Sequence, residues 1–246
     1  MFSIWKKEQP LLKDLVPDDY TDIHSHLLWG LDDGASTEAV TKALVSQMKA
    51  MGFARCITTP HVMTDVWENT TAGIRSKALE VANAQEHWEE RIPIKAAAEY
   101  LLDLTFISKL ETDELLPLHD RLLLVELSYS NPPIALYELL FAIQLKGYTP
   151  VLAHPERYLY YKNDLASLFK MKDVGCLFQL NLPATVGYYG KAVAAFSDTL
   201  LRNGLYDFVG SDIHHENHVQ SFSNKLVVKH TKLLETCFAK NSSLRF

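Results

Sequence analysis

Nine side chains in this sequence have the types and spacing of a metal cluster: His24, His26, Asp33, His61, Glu99, Glu126, His154, Asp212 and His214. His24 and His26 stand in Asp22-Ile-His-Ser-His26, and Asp212 and His214 in Gly210-Ser-Asp-Ile-His214. Residues two apart on an extended strand point the same way, about 7 Å apart, so each pair can reach into one space. His61 closes Thr59-Pro-His61, Glu99 follows Ala98, Glu126 follows Val125, His154 follows Ala153, and Asp33 lies in the loop after the first pair. Imidazole and carboxylate without thiolate suit manganese, iron or zinc, not a structural cysteine-zinc site. Five histidines and four acids can hold more than one ion. Adjacent ions acidify a bridging water and clamp a phosphoryl group, so phosphoester hydrolysis is the chemistry this set suits.

Taken singly, each member has a plainer explanation. A lone buried histidine is more often a hydrogen-bonded core residue, and a glutamate ending an apolar strand can pair with a lysine or arginine. Jointly they do not, because several carboxylates buried together without cations would be very costly. The other histidines (His87, His119, His215, His218 and His230) lack strand-end context and read as surface or loop residues, with His215 and His218 nearest the site. His215-Glu-Asn-His218 is one residue short of HExxH and carries no zincin reading. A cysteine-x5-arginine loop, a GxSxG elbow, a P-loop and GxGxxG are all missing from the sequence.

Most of these residues end short apolar segments. Seven strands are expected, around Tyr20–His24, Ala54–Thr59, Pro93–Glu99, Leu122–Leu127, Thr149–Ala153, Leu177–Asn181 and Tyr206–Ser211. Four phrases repeat a helix, a glycine and a strand, at Gly52, Gly147, Gly175 and Gly204. Glycine fits the left-handed residue just past a helix. Helices are expected over the Ala39–Met51 stripe, with Ser36 or Thr37 as cap, and over Ile74–Glu90, Ile134–Lys146, Lys191–Asn203 and Lys225–Ala239. Strand alternating with helix implies an α/β fold with right-handed crossovers. An open doubly wound sheet shares that local pattern. Candidate ligands at the ends of six strands favour a closed barrel of seven, with the reactive groups on its C-terminal face.

The remaining composition narrows the setting. With 246 residues, 48% hydrophobic and 22% charged, the chain has ordinary globular composition and reads as one domain, residues 1–246. Net charge is −6, without a basic block, which argues against a nucleic-acid surface. No apolar run of about 18 residues exists, so no membrane insertion is expected. The N-terminal MFSIWKKEQPLLKDL lacks the core and cleavage site of a signal peptide. Three scattered cysteines fit a reducing compartment, and a cytoplasmic protein is expected.

The ordered set HxH, TPH, AEY, VEL, AHPERY and SDIHH, from Asp22 to His214, resembles the polymerase-and-histidinol-phosphatase (PHP) superfamily. Asp22-Ile-His-Ser-His26 followed by Leu31-Asp-Asp-Gly-Ala35 is similar to the manganese-dependent tyrosine-protein phosphatases of bacterial capsule and exopolysaccharide loci (CpsB/CapC-type). The resemblance implies a distorted seven-stranded (β/α)7 TIM-like barrel with three metal ions, Mn2+ first, with Fe or Zn as alternatives. It implies that His24, His26, Glu99 and Asp212 hold the first ion. Glu99 would bridge to a second, shared with Glu126 and His154, and Asp33, His61 and His214 would hold the third. Arg157, in His154-Pro-Glu-Arg-Tyr158, matches the arginine that grips phosphate; the alternative is a surface ion pair with Glu156 or another acid. The implied substrate is a phosphotyrosyl protein, a bacterial tyrosine autokinase. Departures from the pattern are an N-terminal extension, 1–19, Val62 where many relatives have a second histidine, and a loop Met63–Thr71 without basic, polar character. Competing readings are a small-molecule phosphomonoesterase of the histidinol-phosphatase kind, against which Asp33 speaks, and a non-catalytic phosphotyrosine-binding scaffold, against which the complete ligand set speaks. A nuclease is disfavoured by the acidic balance, and an amidohydrolase by Glu126 in place of a bridging lysine.

Overall fold

The computed structural model describes residues 8–112 and 114–246. Along the chain lie β1 (Tyr20–Asp22), α1 (Glu38–Ala50), β2 (Phe53–Thr58), β3 (His61–Val62), α2 (Thr71–Gln85), β4 (Ile94–Ala96), β5 (Glu99–Leu101) and α3 (Phe106–Thr112). Then follow β6 (Leu122–Glu126), α4 (Leu136–Leu145), β7 (Thr149–Ala153), α5 (Leu165–Asp173), β8 (Leu177–Asn181), α6 (Lys191–Arg202), β9 (Phe208–Gly210), α7 (Glu216–Ser221) and α8 (Thr231–Asn241). The alternation is the expected one.

Every strand pairing is parallel, in two sheets of order β1-β2-β4 and β3-β5-β6-β7-β8-β9. The division has a local cause. The second and third strand positions are each interrupted, at Thr59-Pro60 and at Ala97-Ala98, so β2 continues as β3 and β4 as β5. Proline has no N–H to give to a ladder. Backbone bonds still bridge the gap, from Ala97 N–H to Thr58 O and from Glu99 N–H to Pro60 O. At the far side, a parallel bridge Ser25–Ile213 joins the first position to the seventh, with Asp212 N–H donating to His24 O and His26 N–H to Ile213 O. Seven strand positions thus form a ring, the TIM-like barrel one strand short.

Below that bridge the seam is closed by side chains. Asn241, fully buried on α8, donates to Thr21 O (3.0 Å) and Val209 O (2.7 Å) and accepts from Val209 N–H (3.1 Å). Asp22, expected only as part of the first motif, faces this seam. It accepts from Ser211 N–H at 2.8 Å and Ser211 Oγ at 2.7 Å. Burial pushes its carboxyl up to about 6, against those hydrogen bonds.

A large apolar cluster fills the layer between strands and helices, and a smaller one (Ile23, Ile57, Ala97, Leu124, Val151 and others) occupies the ring interior. All four repeat glycines have positive φ, from +66° to +94°, and so end their helices as expected. Thr37 caps α1, accepting from Val40 N–H. The last helix starts at Thr231, not Lys225, because Asp198 accepts from Lys229 N–H and His230 N–H and keeps the preceding segment out of the helix. Residues 8–15 of the expected extension pack on the barrel: Leu12 is buried and its N–H donates to Asn224 O. Residues 1–7 of that extension lie outside the described residues. No helix among the described residues is long and apolar enough to cross a membrane. Cys56, Cys176 and Cys237 are buried and unpaired.

Candidate metal centre

The parallel strands bring all nine expected side chains to the C-terminal mouth of the ring. His24 and His26 leave the end of β1, His61 starts β3, Glu99 starts β5, Glu126 ends β6, His154 follows β7, and Asp212 and His214 follow β9. Their ligand atoms fall into four overlapping groups, each within 4.8 Å: His26, Asp33, His61 and His214; His24, Glu99 and His154; His24, His26 and Asp212; and His61, Glu99 and Glu126. His24, His26 and Glu99 have no exposure at all, and Asp212 and His154 have 1%. Asp33, with its side chain 53% exposed, is the outermost.

Glu126 departs from the expected grouping. It stands beside His61 Nδ1 at 2.9 Å, in the group with Glu99, and not in a compact group with His154. The contact lacks hydrogen-bond geometry, and Glu126 Oε1, His61 Nδ1 and His154 Nδ1 are all buried without a hydrogen-bond partner. Orphaned buried polar atoms are rare and call for a partner.

Electrostatics make the same demand. Burial disfavours a protonated imidazole, yet Glu99 and Asp212 outweigh it and push His24 up to about 10. Glu99 and Glu126 do the same for His61, also to about 10. Burial would raise the Glu99 and Asp212 carboxyls, but the surrounding histidines hold both well below the usual range. Among the described residues, Arg157 is the one lysine or arginine within ion-pair distance of these acids. Buried carboxylates ringed by imidazoles, with orphaned donor atoms between them, fit divalent cations of the manganese, iron and zinc type.

Backbone geometry is spent on the site as well. His154 and Asp212 both have left-handed φ, +36° and +50°. Non-glycine residues there carry strain of about 1–3 kcal/mol, which the surrounding structure must impose. Gly34 and Gly210 lie directly against the first motif: a Cβ would meet His26 Cβ at 2.4 Å or His24 Cβ at 2.6 Å.

A supporting shell escaped the sequence reading. Gln179 Oε1 holds His24 Nδ1 at 2.8 Å, and Asp32 Oδ2 holds His26 Nδ1 at 2.7 Å while accepting from His61 N–H at 3.0 Å. Asn181 Nδ2 donates to Asp212 Oδ2 at 2.6 Å. The sixth strand position, with no ligand, supplies Gln179 and Asn181. Two polar residues at alternate positions of an apolar strand, Gln179 and Asn181, were the available signal.

Arg157 is on the pocket wall. It donates to Asp212 Oδ2 at 3.0 Å and lies between the Tyr129 and Tyr189 rings, 4.5 Å from each centroid. Of the alternative ion pairs, the one with Glu156 does not occur, while the one with another acid does, with Asp212 on the pocket wall and not at the surface. Glu156 is fully buried, accepting from Asn181 N–H at 2.8 Å and Tyr206 OH at 2.9 Å, and burial pushes its carboxyl up to about 7. His218, expected at the surface or in a loop, is buried: its Nδ1 accepts from His214 N–H at 3.1 Å. The cavity over the cluster measures about 230 Å³, and its walls include Met63, Trp67, Tyr129, Tyr189, His215 and His218.

The family model described as capsular polysaccharide synthesis, CpsB/CapC, matches residues 20–233. The chain is 31% identical over 198 residues to tyrosine-protein phosphatase YwqE of Bacillus subtilis, covering 78% of this chain and 76% of the relative. It is 29% identical over 199 residues to tyrosine-protein phosphatase CpsB of Streptococcus pneumoniae, covering 78% and 82%. A crystal structure from work on those two proteins, described there as unique metal-dependent tyrosine phosphatases, aligns at TM-score 0.77 and 28% identity over 87% of this chain and 86% of the other. A lactonase from Listeria monocytogenes, 10% identical at TM-score 0.54, shares the fold alone.

Proposed function

Because the chain belongs to the CpsB/CapC family of capsular polysaccharide synthesis proteins, we propose that it is a metal-dependent protein-tyrosine phosphatase. The reading rests on one observation above all: nine histidines and carboxylates converge on one mouth, in groups whose ligand atoms lie within 4.8 Å. His24, His26, Glu99 and Asp212 would hold one ion and Asp33, His61 and His214 another; Glu99 and His154 would contribute to a third, with Glu126 reaching it from the side of His61. Manganese is the metal we propose, with iron and zinc as competitors for the same donors. When bound, the cations supply Lewis-acid polarisation of the phosphoryl group and acidify a water.

The chain's own residues do the rest. Gln179 and Asp32 fix the rings of His24 and His26, so that Nε2 of each faces inward. Arg157 binds the phosphoryl oxygens through its planar fork, one N–H of which is anchored on Asp212. The rings of Tyr129 and Tyr189 hold the guanidinium plane in place. Phenolate, with a conjugate-acid pKa of about 10, leaves without a strong general acid.

The substrate is a phosphotyrosyl protein, a bacterial tyrosine autokinase serving polysaccharide export or synthesis. We place this activity in the cytoplasm and read residues 1–246 as a single domain with 1–19 as an extension. The test is phosphate release from a phosphotyrosyl peptide with manganese, after chelation, and in His24→Ala. Activity is expected only in the first case, and full activity after complete metal removal would overturn the proposal.

A further inference from the structure

Residues 63–67 form a small closed loop at the pocket rim. Met63 N–H donates to Trp67 O and Trp67 N–H to Met63 O, both at 2.9 Å, around Asp65 in the left-handed region at φ +65°. The loop is tied down on both flanks. Asn69 Nδ2 donates to Leu31 O at 2.9 Å and His61 O at 2.8 Å, and the Thr64 and Thr105 hydroxyls meet at 2.7 Å. The product of this bracing is one indole, half-buried, stacked on His61 at 4.8 Å between centroids and 15° between planes. Trp67 and Met63 both line the cavity over the metal cluster.

An apolar ring on a braced loop at the mouth of a polar pocket has no role in holding phosphate. It suits the part of the substrate that leaves. We propose that Trp67 is the specificity-determining residue for an aromatic leaving group, its indole packing against the phenyl ring of phosphotyrosine. The inference rests on the phosphotyrosyl reading above and adds which residue makes the aryl distinction. Aromatic pairs gain affinity beyond the area they bury, from the attraction of one ring's edge or offset face for the other. The braced loop has already given up the freedom that such a contact would cost. A seryl phosphate offers a short alkyl stem with no π face, so the same wall gives it nothing.

Wild type, Trp67→Phe and Trp67→Ala are compared, with manganese, on a phosphotyrosyl peptide and the phosphoseryl peptide of the same sequence. Inorganic phosphate serves as competitive inhibitor, and binding of a phosphonomethyl-phenylalanine peptide is measured by calorimetry. Trp67→Ala is expected to raise KM for the phosphotyrosyl peptide, and Kd for the phosphonate peptide, about tenfold. Its kcat, its inhibition constant for phosphate and its phosphoseryl KM stay within about twofold of wild type, and Trp67→Phe recovers most of the loss. The idea is overturned by unchanged KM and Kd. It is also overturned by a matching loss of phosphate affinity or kcat, because Trp67 would then only be propping up His61. Wild type without turnover of the phosphotyrosyl peptide would instead sink the phosphatase reading itself.

Discussion

Gln179 Oε1 lies 2.8 Å from His24 Nδ1 and thereby turns His24 Nε2 toward both Glu99 (3.2 Å) and Asp212 (3.3 Å). A residue that contacts no ion thus decides which imidazole nitrogen can. Gln179→Leu removes that acceptor at similar volume. Partners of this kind are worth about 10–100-fold in metal affinity. Manganese titration of the variant should show a loss in that range with the fold intact by circular dichroism; wild-type affinity would mean that packing alone orients His24.

Ions that bind only the folded chain stabilise it. An ion at 100 times its Kd contributes about 2.7 kcal/mol, and in a domain of this size each kcal/mol moves Tm by about 2–4 °C. Manganese added to chelated protein is therefore expected to raise Tm by about 5–10 °C per strong site. Identical melting curves with and without the metal would contradict the assignment of Glu99, Glu126 and Asp212 as ligands.

Arg157→Lys keeps the charge near Asp212 and loses the fork. Loss of one well-placed donor to transition-state charge costs about 10²-fold or more in rate. We expect kcat/KM for a phosphotyrosyl peptide to fall by about that factor while bound metal, counted by atomic emission, stays constant. Near-normal turnover would reduce Arg157 to a structural partner of Asp212.

Much of this was readable from residue order alone, and the exceptions share a cause. Most of the candidate ligands are legible because they are polar residues at the ends of apolar strands, Asp33 in a loop being the exception, and the α/β repeat because Gly52, Gly147, Gly175 and Gly204 need a left-handed backbone. Gln179 and Asn181 take their roles from His24 and Asp212, 155 and 31 positions away, and Asp32 takes its role from the loop that turns it back onto His26, six positions before it. His218 reads as a surface or loop residue near the site because its burial depends on Tyr188 and Tyr189 folding over it. The second and third strands were read as single elements, and no hydropathy pattern marks the breaks at Pro60 and Ala97-Ala98.

Asn241 carries three backbone partners at the seam, Thr21 O, Val209 O and Val209 N–H. Asn241→Leu strips all three at little change in volume. One buried unsatisfied group costs about 1–3 kcal/mol, so a loss of about 3 kcal/mol or more is expected in urea unfolding. A change below about 1 kcal/mol would show that the Ser25–Ile213 bridge closes the ring unaided.

That seam has a consequence for biogenesis. Its two sides, Asp22 and Ser211, are 189 positions apart, and Asn241 comes later still. Contacts so distant in the chain form slowly because a long loop must close first. On the ribosome, the β1 side of the seam waits for its partners until the seventh strand and α8 have emerged. His24 and Asp212, 3.3 Å apart at the mouth, are therefore brought together only after the β9 end of the chain has been made.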